Sequence, residues 1–171
     1  MRYNKIRKMD ISNGKGVRVS IFVQGCTFNC KNCFNPETWD FEGGKEFTQE
    51  TIDKVLELSD KNEVKGLSIL GGEPMAPTNI EGTAKLAKAF KEKYPEKNVW
   101  AWSGYKYEQI KDQDALKYID VLVDGNYEDN LHDPTLKWKG SSNQRVIDVK
   151  QSIKNDNIVL SNLTLFYYLF N

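Results

Sequence analysis

Residues 17–34 read VRVSIFVQGCTFNCKNCF. Over residues 17–23, aliphatic residues alternate with Arg18, Ser20 and Phe22, and this two-residue period is typical of a β-strand. The pattern ends at Gln24 and Gly25, and a loop with three cysteines follows at once. We therefore predict a strand whose carboxyl end carries a cysteine-rich loop.

The rest of the chain alternates short β-like runs with amphipathic helical runs. We predict further strands over residues 67–70, 99–103, 119–123 and 145–149. We predict helices over residues 48–59 and 78–94, one or two short helices within 105–118, and a long loop over 126–144. Such alternation favours a mostly parallel sheet with crossover helices. At 171 residues the chain is too short for a closed barrel of about 250 residues, so we expect one α/β domain, either an open, partial βα barrel or a small doubly wound sheet.

The composition excludes several classes of function. Lys and Arg total 24, as do Asp and Glu, so the formal net charge is zero, whereas nucleic-acid binding by phosphate neutralisation normally needs a basic excess. No apolar run approaches the roughly 18 residues of a membrane span, and none follows the amino terminus. We therefore expect no nucleic-acid partner, no membrane anchor, no signal peptide and a cytoplasmic location, where thiols stay reduced.

Four polar or glycine-rich segments each follow a predicted strand. They are the cysteine loop, Gly71-Gly72-Glu73-Pro74, Trp102-Ser103-Gly104-Tyr105 and Asp124-Gly125. The carboxyl ends of parallel strands meet at one rim of a sheet, where functional groups gather. We therefore expect one site built from all four segments.

The three cysteines, Cys26, Cys30 and Cys33, have the spacing C-x3-C-x2-C. Cysteine thiolates are the usual ligands of iron–sulfur clusters. A four-iron cluster held by three cysteines leaves one iron without a protein ligand, and an open metal position is typical of a catalytic centre.

Three other interpretations of the cysteines stay open. A structural zinc site would need a fourth ligand, for which His132 is available, although we otherwise expect it to be a surface residue. Cys30 and Cys33 also form the C-x-x-C of a dithiol oxidoreductase, which leaves Cys26 unexplained. The last alternative is three unligated cysteines in a core.

The cysteine loop and the Gly71-Gly72-Glu73-Pro74 segment resemble the two motifs of the radical S-adenosylmethionine superfamily. Within it, the chain is similar to the activating proteins of anaerobic ribonucleoside-triphosphate reductases. That similarity rests on NGKGVR at 13–18, WSGY at 102–105, VLVDG at 121–125 and WKGSSNQR at 138–145. Lys15 and Lys139 depart from this similarity, since members of the family usually have proline and arginine at these two positions. The similarity runs from about residue 10 to residue 149, and residues 151–171 form an atypical carboxyl-terminal tail.

The resemblance implies a partial radical-SAM-type βα barrel and an oxidoreductase that generates a glycyl radical. It implies a 4Fe-4S cluster on catalytic cysteines Cys26, Cys30 and Cys33, and reductive cleavage of S-adenosylmethionine to a 5′-deoxyadenosyl radical. The partner would be the reductase's large subunit. Because all three cysteines are used, the electron would come from an external, flavodoxin-like donor. Activation of another glycyl-radical enzyme and a non-catalytic zinc-binding interaction module are the alternatives.

The resemblance also implies the residues that contact S-adenosylmethionine. We expect Gly71 and Gly72 to let backbone groups approach its ammonium, and Glu73 to add a negative charge there. The full expected set is Asn32, Cys33, Phe34, Gly71, Gly72, Glu73 and Ser103.

Two further elements have open roles. Arg18, on what we take to be the polar face of the first strand, would pair with a carboxylate at the site or stay a surface charge. The run from Trp138 to Arg145 would close over the site, dock the reductase or be a solvated loop.

Overall fold

The computed structural model of the chain describes residues 1–163. Its strands are β1 (Arg2–Asp10), β2 (Val17–Gln24), β3 (Lys45–Glu46), β4 (Val64–Gly71), β5 (Asn98–Ser103), β6 (Val121–Asp124) and β7 (Arg145–Asp148). Its α-helices are α1 (Gln49–Ser59), α2 (Ile80–Lys93), α3 (Tyr107–Ile110) and α4 (Val149–Asn155). Short 3-10 helices cover Pro36–Thr38, Asp114–Tyr118 and Asp129–Leu131.

The seven strands form one open, mixed sheet in the order β3-β1-β2-β4-β5-β6-β7. The central strands β2, β4, β5 and β6 are parallel, which confirms the predicted parallel core with crossover helices. The flanking strands β1, β3 and β7 run antiparallel to their neighbours. β7 can do so because residues 126–144 connect it to β6 without a crossover helix. Within residues 1–163 the sheet does not close into a barrel.

Every strand and helix predicted from the periodicity is present, with bounds shifted by a few residues. The sequence patterns missed β1, the two-residue β3 and the helix α4. β1 reads RYNKIRKMD, and most of its side chains are partly or fully exposed. Because β1 lies near the sheet edge, its side chains lack the regular apolar alternation that identifies a half-buried strand.

The helix-facing side of the sheet carries the main hydrophobic core. Valines and isoleucines of β2 and β4 pack with apolar residues of α1 and α2, including Ile52, Val55, Leu86 and Phe90. Tyr94 ends α2 and donates a hydrogen bond from its hydroxyl to Leu56 O at 2.8 Å, which fixes α2 against α1.

The opposite side of the sheet is also buried, and this corrects our expectation for Arg18. Its side chain is 0% exposed and donates to Ser68 Oγ at 2.6 Å, Asn98 Oδ1 at 2.7 Å and Leu67 O at 2.7 Å. Its guanidinium lies 5.4 Å from the ring centre of Trp100, and burial lowers its pKa to about 9. Arg18 is thus neither a surface charge nor paired directly with a carboxylate.

Arg18 also fixes the turn that precedes β2. It donates to Lys15 O at 3.2 Å, and its partner Ser68 donates to Asn13 O at 2.6 Å. This turn is thereby held against the second side of the sheet.

The described part of the carboxyl-terminal tail packs on β7. Asp148 N donates to Val159 O at 2.9 Å and Ser161 N donates to Val146 O at 2.8 Å, so the segment follows the outer edge of the sheet. The rest of the predicted tail, 164–171, lies outside the described residues. Among the helices of residues 1–163, none has the length and apolar character to cross a membrane.

Arg18→Met should lower the free energy of unfolding by about 3 kcal/mol, because it leaves the buried acceptors around Ser68 and Asn98 without their charged donor. Urea unfolding of the apoprotein, followed by tryptophan fluorescence, measures this loss. The control is Lys8→Met on exposed β1, which should change stability by less than about 0.5 kcal/mol. Equal stability of the two variants would contradict the structural role of Arg18.

Candidate functional site

A cavity of about 590 Å³ lies at the carboxyl ends of the parallel strands. Residues that follow β2, β4, β5 and β6 all line it, so the predicted convergence of four segments on one rim is confirmed. Eight of the expected site residues line it, namely Cys26, Cys30, Cys33, Phe34, Gly71, Gly72, Glu73 and Ser103. Asn32 is not among the lining residues.

Backbone hydrogen bonds fix the cysteine loop at its base. Gly25 N donates to Thr38 O at 2.8 Å, and Cys26 N donates to Trp39 O at 3.1 Å. Inside the loop, Cys33 N donates to Cys30 O at 3.2 Å and closes a turn. Asn29 and Asn32 adopt left-handed backbone angles, which asparagine tolerates better than most residues. The loop therefore holds three free, half-buried thiols at the cavity wall.

The surroundings of the thiols bear on the alternative interpretations. Burial raises the pKa of Cys26 to about 11 and also raises that of Cys30. A redox dithiol works through a thiolate of lowered pKa, so this arrangement does not favour the dithiol oxidoreductase. The cysteines line a cavity and are partly exposed, so they are not core residues.

The donor set suits an iron–sulfur cluster. Soft thiolates are the ligands of such clusters, and a coordinating cation deprotonates them despite their raised pKa. No three His, Cys, Asp or Glu side chains in residues 1–163 are grouped to hold a single metal ion.

Glu73 connects the ends of β4 and β5. Its carboxylate accepts hydrogen bonds from Ser103 Oγ at 2.8 Å, Gly104 N at 2.7 Å and Met75 N at 2.8 Å. Burial raises the pKa of Glu73 to about 7, and these three donors oppose the rise. Because the hydroxyl of Ser103 donates its proton to Glu73, Ser103 positions this carboxylate at the cavity wall.

The two glycines before Glu73 are required by the backbone itself. Gly71 has a φ of +108°, a conformation that other residues rarely adopt. A Cβ on Gly72 would lie 2.6 Å from Gly25 O, at the base of the cysteine loop. Glu73 N also donates to Gly25 O at 2.8 Å. Close packing of these two turns therefore demands glycine, whatever ligand approaches them.

Asn79 holds the same junction and was missed by sequence analysis. Its buried Nδ2 donates to Gln24 O at 2.9 Å, Glu73 O at 3.0 Å and Gly25 O at 3.4 Å. It precedes α2, where an asparagine reads as an ordinary helix cap. No local pattern distinguishes the two roles, because its acceptors are brought close only by the fold.

The segment of residues 126–144 folds back over the cysteine loop. Asn32 Nδ2 donates to Asp129 Oδ1 at 2.9 Å, and Lys31 pairs with the same carboxylate at 3.1 Å. Phe34, which is 64% exposed, lies with its ring centre 5.2 Å from that of Tyr127. The side chain of Asn32 thus faces Asp129, although its backbone lies next to the cavity-lining Cys33.

The run from Trp138 to Arg145 belongs to the cavity rather than to a solvated loop. Trp138, Lys139, Gly140 and Gln144 line the cavity, and Trp102 Nε1 donates to Trp138 O at 2.7 Å. Gln144 Oε1 accepts a hydrogen bond from Gly140 N at 2.8 Å, and Gln144 Nε2 donates to Gly125 O at 2.9 Å. His132 is exposed, as expected, but it also lines the cavity, and its Nδ1 donates to Gly140 O at 3.0 Å.

The raised pKa of Glu73 predicts a pH dependence of stability. The folded chain keeps this proton to a higher pH than the unfolded chain, whose pKa is near the ordinary 4.5, so stability falls between about pH 4.5 and 7. The free energy of unfolding of wild type minus that of Glu73→Gln should fall by about 1.4 kcal/mol per pH unit in this window and level off above it. Urea unfolding of apoprotein across the window measures it. The control is Glu96→Gln at an exposed position. A difference in the free energy of unfolding between wild type and Glu73→Gln that does not change with pH would contradict the raised pKa of Glu73.

Asn79→Leu keeps the shape of the side chain but removes its donors. We expect it to lower the free energy of unfolding by about 2–3 kcal/mol, because three buried carbonyls lose their partner. The same unfolding assay tests this, with Asn155→Leu at the exposed end of α4 as the matched control. A loss no larger than that of the control would show that Asn79 does not hold the junction.

Comparison with known proteins identifies the family. Residues 12–147 match the family model described as a 4Fe-4S single cluster domain. The chain is 44% identical over 147 residues to the anaerobic ribonucleoside-triphosphate reductase-activating protein of Enterobacteria phage T4, a match that covers 85% of this chain and 93% of that protein.

Proteins of the same name from two bacteria give similar matches. The Vibrio cholerae protein is 41% identical over 148 residues, which are 84% of this chain and 96% of that protein. The Escherichia coli K12 protein is 37% identical over 150 residues, which are 85% and 97% of the two chains. With its thiol-lined cavity and these matches, the chain belongs to the family of anaerobic ribonucleoside-triphosphate reductase-activating proteins and has a 4Fe-4S single cluster domain.

Proposed function

We propose that this chain activates an anaerobic ribonucleoside-triphosphate reductase as a radical S-adenosylmethionine enzyme. The observation that carries the proposal is the cavity itself, where the thiols of Cys26, Cys30 and Cys33 share one wall with Gly71-Gly72-Glu73. The open sheet is then the partial βα barrel of that superfamily, in one domain over residues 1–171.

The three cysteines would hold a 4Fe-4S cluster and leave one iron for the amino and carboxylate groups of S-adenosylmethionine. When bound, such a cluster would supply the electron for reductive cleavage of S-adenosylmethionine to methionine and a 5′-deoxyadenosyl radical. That radical would take a hydrogen atom from a glycine of the reductase's large subunit, which would give 5′-deoxyadenosine and leave a glycyl radical on the partner. The cysteine loop contributes the sulfur ligands, and the cavity shields the reacting groups from water.

Other residues of the cavity would position S-adenosylmethionine. Gly71 and Gly72 expose backbone at the wall, and ionised Glu73 places a negative charge where an ammonium group would bind. Ser103 orients Glu73 through its 2.8 Å hydrogen bond. Phe34 and the backbone of Asn32 lie beside Cys33 and would contact the adenine.

Residues of the 126–144 segment line the cavity beside the cysteine loop and would shape the entrance for the reductase. The exposed Phe34 and His132 lie there with the half-buried Tyr127, and the three ring centres are 5.2 to 6.1 Å apart. Such an aromatic group at a cavity mouth suits an inserted peptide segment of the partner.

The proposal includes an external one-electron donor of the flavodoxin type, because the three cysteines of the chain are used on one cluster. Thiols that must stay reduced suit the cytoplasm, which remains our predicted location. The balanced charge supports a protein rather than a nucleic acid as partner. Among the alternatives, family membership favours the ribonucleotide reductase over another glycyl-radical enzyme.

The test is anaerobic reconstitution with iron and sulfide, reduction, and assay of 5′-deoxyadenosine from S-adenosylmethionine. Wild type should form a brown cluster and cleave S-adenosylmethionine, and with the reductase it should give the electron paramagnetic resonance signal of a glycyl radical. Cys26→Ala and Cys30→Ala should both reduce cleavage to background, because each removes a cluster ligand.

The same assay separates the alternatives. Cleavage that persists in Cys26→Ala would favour a dithiol mechanism on Cys30 and Cys33. One tightly bound zinc per chain, with no cluster and no cleavage, would overturn the proposal in favour of an interaction module. Cleavage without a radical on the reductase, but with one on another glycyl-radical enzyme, would reassign the partner.

A further inference from the structure

Asn126 lies directly against one sulfur of the cysteine loop. The thiol of Cys30 donates a hydrogen bond to Asn126 Oδ1 at 2.9 Å. Asn126 follows β6 by two residues and lines the cavity. Within residues 1–163, its side chain makes no other hydrogen bond.

The three cysteines differ in which part of the chain contacts their sulfur atoms. Cys33 Sγ accepts a hydrogen bond from Asn35 N at 3.4 Å, and Cys26 is contacted by the backbone N–H of Phe28, both from the same loop. Cys30, besides its own N–H, is contacted by the backbone N–H of Tyr127 and the side chain of Asn126. Only Cys30, among the three, is thus bonded to the segment that follows β6.

Ligation of iron reverses the sense of the Asn126 contact. A thiolate has no proton to donate, so its sulfur becomes an acceptor. The two ends of a carboxamide are nearly equal in size, and a half-turn about the Cβ–Cγ bond exchanges Nδ2 with Oδ1. Asn126 can therefore donate to Cys30 Sγ without other movement of the chain.

The backbone at Asn126 is already fixed for this role. Asn143 Nδ2 donates to Asn126 O at 2.8 Å, and the same Nδ2 donates to Glu128 Oε1 at 3.1 Å. A donor held in place before the electron arrives stabilises the more negative state without reorganisation.

We propose that Asn126 tunes the reduction potential of the cluster by donating a hydrogen bond to the Cys30 thiolate. This inference rests on the proposed function, because it assumes a cluster on the three cysteines. Reduction adds one electron to the cluster, and part of its charge falls on the ligand sulfurs. Hydrogen bonds to those sulfurs favour the reduced state and raise the potential. Asn126 acts through Cys30 and is a positioning residue.

The test is a redox titration of the reconstituted cluster with dithionite as the electron source, followed by electron paramagnetic resonance and without S-adenosylmethionine. Asn126→Leu should shift the reduction equilibrium about tenfold toward the oxidised cluster, which is about 59 mV for one electron. Asn126→Asp should shift it further, since a carboxylate cannot donate and adds a negative charge beside the sulfur.

The matched control is Asn130→Leu. Asn130 lies in the same segment, is exposed, and makes no side-chain hydrogen bond among the described residues. Asn130→Leu makes the same chemical change at a position away from the sulfur, so the reduction potential of its cluster should equal that of wild type.

A second readout covers a variant whose cluster is too unstable to titrate. In deuterated water, spin-echo spectroscopy of the reduced cluster should detect a weaker signal from exchangeable deuterons in Asn126→Asp than in wild type and Asn130→Leu. The backbone N–H groups at the sulfurs contribute equally in all three proteins. An unchanged deuteron signal, or equal potentials in Asn126→Leu and Asn130→Leu, would overturn the role of Asn126 alone. Failure of wild type to bind any cluster would overturn the proposed function and this inference together.

Discussion

The junction of Glu73 with the cysteine loop is the constraint on which the site depends. The backbone N–H of Glu73 donates to Gly25 O, and its carboxylate accepts from Ser103 and Gly104. The side chain of Asn79 donates to the backbone carbonyls of Gly25 and Glu73. These contacts join the ends of β2, β4 and β5 into one wall. Without them, three loops would reach the rim independently, and the thiols would have no fixed relation to the turn at residues 71–74.

A second requirement is that both sides of the sheet are covered. On the helix side this is an ordinary apolar core, but on the other side the buried guanidinium of Arg18 packs beside a smaller apolar cluster of Trp100, Val121, Val123 and Val146. Arg18 is stabilised by neutral oxygens, so it can be buried while it holds the turn at residues 13–16. The cavity thereby gains a wall that no helix supplies.

The segment at 126–144 connects the chemistry of the cysteine loop to the rest of the fold. It contacts Lys31, Asn32, Phe34 and Cys30, and it also lines the entrance. A partner that binds at this entrance would therefore meet the same segment that bonds to one cysteine sulfur. Family membership gives this arrangement its context, since the matched proteins are named for activating another enzyme.

Sequence alone determined the parallel core, the helices up to residue 118 and the convergence of four loops, because these follow from local periodicity and from the geometry of parallel strands. It also identified eight residues that line the cavity, since cysteine and glycine motifs are local signals. Only the tertiary structure decided the contacts of Arg18, Asn79 and Asn126. Their partners lie 50, 55 and 96 residues away, in Ser68, Gln24 and Cys30, and no local pattern encodes such contacts. β1 was missed for a related reason, because a strand near the sheet edge is specified by its neighbours more than by its own alternation.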